Sequence, residues 1–156
     1  LQLHTSIAAP VGRVFDLARS VDAHLASAGL SAERVVQGRE VGLLEKDEEI
    51  TWEGVHFGIR QRLCVKIVGL QKPTFFRDTM TKGMFSGFTH SHYFRFENGV
   101  TIMTDDIDYE VPFGVAGKIF DWLVLSNYLQ RFIADRNRFL KETAESDQWK
   151  RFLQEP

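Results

Sequence analysis

Asp108-Tyr109-Glu110-Val111-Pro112-Phe113-Gly114 is the stretch that decides the fold. Before it the pattern has a period of two, the mark of a strand, and Pro112 with Gly114 breaks that strand. After it Ile119, Leu123, Leu129, Phe132, Ile133, Phe139 and Leu140 recur at helical spacing and predict one long helix over 115–144. Working back from the break, Asn98-Gly99 separates two alternating runs and predicts a tight hairpin. Pro73 and Gly58 punctuate earlier runs in the same way. Strands are expected over 2–8, 33–38, 49–57, 59–70, 75–82, 88–97 and 100–111. Two short helices are expected after the first strand, over 10–19 with Pro10 in the first turn and over 22–27 with Asp22 as cap. Successive strands joined by short turns make an antiparallel sheet. The expected fold is α+β, a curved seven-stranded sheet around one long C-terminal helix, in one domain over 1–156, with the tail 146–156 peripheral and docked through Trp149 and Phe152.

The bulk properties fit that plan and exclude others. A chain of 156 residues with 44% hydrophobic and 26% charged residues can build one packed interior. A net charge of −2 gives no basic field for nucleic acid. No run approaches the length of a membrane span; the longest, 119–125, is interrupted by Asp121. No secretory leader is expected, and a single cysteine, Cys64, fits a reducing, cytoplasmic setting. Thirteen phenylalanines supply aromatic surface for lining a core or a pocket.

Strand alternation assigns side chains to faces. His90, His92, Phe94 and Phe96 share one face, and the phenylalanines mark it as inward. Met103, Asp105, Ile107 and Tyr109 point inward from the next strand. Phe76, Asp78 and Met80 form the inward set of 75–82. Leu63, Val65 and Ile67 form that of 59–70, and Trp52 and His56 that of 49–57. Leu123, Leu129 and Ile133 on the helix are expected to face Phe76, Met80, Phe94, Ile107 and Tyr109 across a cavity. Three imidazoles and two carboxylates on inward faces are costly unless paired or hydrated. They read as a satisfied polar network, as the polar end of an apolar pocket that orients a ligand head group, or as a His–Asp pair for acid–base chemistry with His92 and Asp105 as candidates. The two-residue turn at Asn98-Gly99 places His92 opposite Asp105 and His90 opposite Ile107. Alternate histidines also permit metal ligation, but local spacing fixes no third ligand, and no metal or cofactor is expected.

Other features carry less. The loop 83–87 opens no helix and is not a phosphate cradle, although Met84 and Phe85 can cover a cavity mouth. Cys64 alternates with Arg62 and Lys66 and lies outside the pocket. His4 and His24 are expected at the surface. Arg131, Arg136, Arg138 and Lys141, interleaved with acids, read as a solvated helix face.

The order of elements, together with Glu48-Glu49-Ile50-Thr51-Trp52 through His56-Phe57-Gly58, Phe76-Arg77-Asp78-Thr79-Met80, His90-Ser91-His92 and the run from Asp105 to Gly114, resembles the helix-grip fold of the START-like, or pollen-allergen-like, superfamily. Within it the chain is similar to the bacterial ligand-binding group named after polyketide cyclases and dehydratases. The resemblance implies binding or transport of a hydrophobic small molecule, such as a lipid, isoprenoid or polyketide, in a cavity between sheet and helix. Its alternatives are a cofactor-free cyclase or dehydratase using the same cavity, or a protein-interaction module whose cavity is vestigial. The oligomeric state is not legible.

Overall fold

The computed structural model describes residues 1–153, apart from the side chain of Leu30. The elements are β1 (Gln2–Ile7), α1 (Val11–Ala18), α2 (Val21–Ser27), β2 (Arg34–Gln37), β3 (Glu49–His56), β4 (Ile59–Gln71), β5 (Phe75–Lys82), β6 (Gly87–Glu97) and β7 (Val100–Glu110). A helical rod then runs as α3 (Gly114–Phe120), a π turn (Asp121–Leu125) and α4 (Ser126–Glu145). A 3-10 turn, Asp147–Arg151, follows, and residues 154–156 of the tail lie outside the described residues.

The seven strands form one antiparallel sheet in the order β1-β7-β6-β5-β4-β3-β2. β1 and β2 are thus opposite edges, and α1 and α2 carry the chain from one edge to the other. The cap of α2 is Ser20, whose hydroxyl accepts from the Ala23 amide, and not Asp22. Asp22 instead accepts from the Gly42 amide. Asn98 and Gly99 both have positive φ, 50° and 83°, the requirement of a two-residue hairpin turn. An unbroken register runs from Glu97 opposite Val100 to Gly87 opposite Glu110.

Two packed zones divide the interior. At one end Phe15 of α1 meets Phe76 and Phe94 edge-on, at 5.8 Å and 5.3 Å, inside a solid core with Ile7, Met103, Leu140 and Ala144. Trp149 and Phe152 of the tail pack against that core. At the other end Val21, Leu44, Ile50, Trp52, Val65 and Ile67 pack together as a second wall. The space between this wall and the helix is a cavity.

The helix departs from the predicted one. The periodicity assumed 3.6 residues per turn through 119–140, but the wider π turn inserts an extra residue and rotates everything before it. Leu123 therefore faces solvent, 57% exposed, as does Ile119 at 53%. Leu125 takes the inward position. Phe96 is also exposed, because β6 runs past the helix there toward its turn. Cys64 lies outside the cavity but is buried.

Candidate functional site

β6, β7 and α4 pass through the same three levels. Along β6 the inward residues run from Phe94 in the solid core through His92 and His90 to Phe88 at the cavity. Along β7 they run from Met103 through Asp105 to Ile107, and along α4 from Leu140 through Asn137 to Ile133. A polar layer thus separates core from cavity.

Asp105 is the hub of that layer. The register places it opposite His92, and Asp78 of β5 opposite His90. Its Oδ1 accepts from His90 Nε2 at 2.9 Å and lies 2.9 Å from His92 Nδ1. Its Oδ2 accepts from Asn137 Nδ2 at 2.7 Å. His92 Nε2 lies 3.4 Å from Asp78 Oδ2, and the Phe76 ring stacks on His92 at 4.0 Å. Burial alone would raise the Asp105 pKa, but the bonds from His90 and His92 outweigh it and hold the carboxyl well below its usual range. Burial would lower His92, but hydrogen bonds to Asp105 and Asp78 outweigh it and raise its pKa. Burial, then the neighbouring His92, lowers that of His90.

A second polar group faces the cavity from the β2–β3 side. His24 Nε2 donates to Glu33 Oε2 at 2.6 Å, and its ring stacks on Trp52 at 3.9 Å. His56 Nδ1 hydrogen-bonds the Tyr128 hydroxyl at 2.6 Å. Arg136 also lines this end and donates to the Ala18 carbonyl at 3.2 Å. His24 and Arg136 are therefore interior and not surface residues. Burial lowers the His24 pKa, with the Arg136 charge adding to it.

The cavity holds about 940 Å³. Trp52, His56, Phe76, Asp78, His90, His92, Ile107, Leu129 and Ile133 line it, as strand and helix periodicity places them. Four expected lining residues do not. Phe94 is in the solid core, and Asp105 is screened behind the two histidines. The Met80 sulfur lies over Gly83, where an added Cβ would come within 2.5 Å of it. Tyr109 turns to the π turn and donates to Asp121 Oδ1 at 2.6 Å, with its pKa pushed up to about 12 by burial and that bond. Alternation gives a face but neither the depth along it, which removes Phe94 and Asp105, nor the side-chain direction, which removes Met80 and Tyr109. Leu123 is excluded by the π turn. Arg136 and Asn137 were legible in principle, three and four residues beyond Ile133 on the same stripe. His24 and Glu33 carried no periodic signal. Phe57, Met84, Phe85, Phe113 and Phe120 surround the other end, and Met84 is half exposed there.

No protein-family model and no curated protein matches the chain. Solved structures do. TTHA0849 from Thermus thermophilus superposes with a TM-score of 0.75 at 18% identity, covering 92% of this chain and 95% of that one. The major latex-like protein 151 of Panax ginseng gives 0.67 at 16% identity, over 94% and 97%. The di-domain ARO/CYC StfQ of the steffimycin biosynthetic pathway gives 0.65 at 17%, over 97% of this chain and 46% of its own. The chain shares with these structures the helix-grip fold.

Proposed function

We propose that the chain binds a hydrophobic small molecule, of lipid, isoprenoid or polyketide type, with its apolar body against the phenylalanine-rich walls and its polar end on the His/Asp layer. One observation carries this reading: a cavity of about 940 Å³, walled by apolar side chains and closed at one end by paired polar groups. That volume is in the range of about 300–1,000 Å³ of small-molecule sites. It gives no support to a vestigial cavity. Among the described residues no helix is long and apolar enough to cross a membrane. The buried, unpaired Cys64 fits a reducing, cytoplasmic setting.

An environment-sensitive apolar dye tests the reading. It should bind one per chain with micromolar affinity and be displaced by a long-chain alcohol. Absence of saturable binding would sink it. Native mass spectrometry of protein from its own host then identifies the ligand.

A second reading is proton-transfer chemistry of the cyclase or dehydratase type. It is favoured by His92, held between two carboxylates at the cavity floor. Its test is His92→Gln: an enzyme loses turnover of a bound polyketide-like substrate while keeping affinity, and a carrier has no turnover to lose.

A further inference from the structure

Asp78, His90 and His92 form a second pattern inside the polar layer. His90 and His92 are alternate residues of one strand, so both rings project to one face. Asp78 joins them across the β5–β6 register, opposite His90. One ligand atom from each of the three lies within 4.8 Å of the others, and all three residues border the cavity.

The hydrogen bonds decide which atoms are free. His90 commits Nε2 to Asp105, and His92 commits Nδ1 to the same oxygen. His90 Nδ1 is left over, and His92 Nε2 faces the Asp78 carboxylate at 3.4 Å, a contact that an ion between them would replace. Asp105 accepts in addition from Asn137, so its oxygens are occupied and it acts from behind the rings. A carboxylate on the far nitrogen of an imidazole is the outer-shell partner that metal-ligating histidines carry. Here one carboxylate serves two rings, Asn137 orients the carboxylate, and Phe76 packs on the face of His92.

The spacing fits as well. Two ligand atoms about 2.0–2.1 Å from one ion at a tetrahedral angle are about 3.3 Å apart. His92 Nε2 and Asp78 Oδ2 are 3.4 Å apart. The His90 atom, within 4.8 Å of the other two, would need to approach by up to about 1.5 Å to complete the set, a side-chain adjustment. Two nitrogens and one carboxylate oxygen suit zinc or iron(II) rather than calcium or magnesium, whose ligands are oxygens. Three protein ligands leave positions open, and these face the cavity. Glu33, His24 and Arg136 look onto the same space, and the two carboxylates Glu33 and Asp78 together exceed the charge of the Arg136 guanidinium.

We propose that Asp78, His90 and His92 bind a divalent transition-metal ion, with Asp105 orienting both imidazoles and the open coordination positions directed at the cavity. This goes beyond apolar ligand binding. An ion there would hold an oxygen-bearing head group in place.

The chelator-treated 156-residue chain titrated with zinc and, separately, cobalt(II) tests it. One equivalent of zinc should bind by calorimetry, and one of cobalt should give visible d–d absorption of a site with nitrogen and oxygen ligands. Asp78→Asn should weaken binding at least tenfold. Asp105→Asn, which touches no ion, should weaken it by about 10–100-fold. His4→Gln, on the outer face, should change nothing. Circular dichroism establishes that each variant is folded. His92→Gln should abolish the absorption; should it not fold, Asp78→Asn at the cavity edge decides. Wild-type protein that takes up no stoichiometric ion overturns the proposal, as does binding undiminished in Asp78→Asn. Dye binding measured on the same metal-free protein keeps this outcome separate from that of the cavity reading.

Discussion

A carboxylate with 1% of its surface exposed persists in this interior because each oxygen is engaged. Asp105 exchanges hydration for His90, His92 and Asn137, and removal of one partner from such a buried group costs far more than the net worth of the bond. Asp105→Asn keeps the shape but turns an N–H toward one of those donors. We expect it to lose about 3 kcal/mol of stability in urea unfolding. An unchanged midpoint would mean that the histidines find other partners. His24 gives a pH dependence whose sign is fixed. Burial holds its pKa below 6.5 while it stacks on Trp52, donates to Glu33 and faces the charges of Arg136 and Asp78. Between the folded and unfolded pKa the unfolded chain binds more protons. This contribution is therefore fully present above pH 6.5 and is lost as pH falls through 6.5 toward the folded value. Relative to His24→Gln, the wild type should lose stability on acidification from neutral pH. Parallel profiles for the two proteins would refute this.

The helical rod from Gly114 to Glu145 does two jobs that its sequence does not separate. The C-terminal half of α4 packs Leu140 and Ala144 into the solid core, while Leu129 and Ile133 roof the cavity. Both sets lie on the one stripe of α4, and the π turn before them re-aims only α3 relative to that stripe. The break that starts it is held by a close approach: a Cβ on Gly117 would lie 1.9 Å from the Pro112 carbonyl oxygen. The backbone cannot yield that distance, so Gly117→Ala should displace α3 and cost several times the roughly 1 kcal/mol that alanine gains over glycine in a helix. Thermal unfolding reads the loss, and a melting temperature equal to the wild type would show α3 is not docked as described. Tyr109 binding Asp121 ties the end of β7 to the π turn across the same break.

For the molecule as a whole, the cavity is where packing was left unfinished. A void of this size forfeits dispersion contacts that a filled core would make, and only a bound molecule restores them. Ile133 is 6% exposed and faces that void. Ile133→Trp should therefore cut dye affinity at least tenfold while leaving the melting temperature within a few degrees, since the larger ring enters empty space. Dye binding at wild-type strength would place the dye elsewhere.

The sequence by itself determined the order of elements, the antiparallel sheet and the His92–Asp105 pair, because strand period and a two-residue turn are local and leave one register. It also placed Asp78, His90 and His92 on inward faces. Only the tertiary structure decided how deep each inward residue lies, where a π turn rotates the helix, and that His24, Glu33 and Arg136 meet at one end of the cavity. Those outcomes depend on contacts between elements distant in the chain, whose packing fixes depth and rotation, and no local period encodes them.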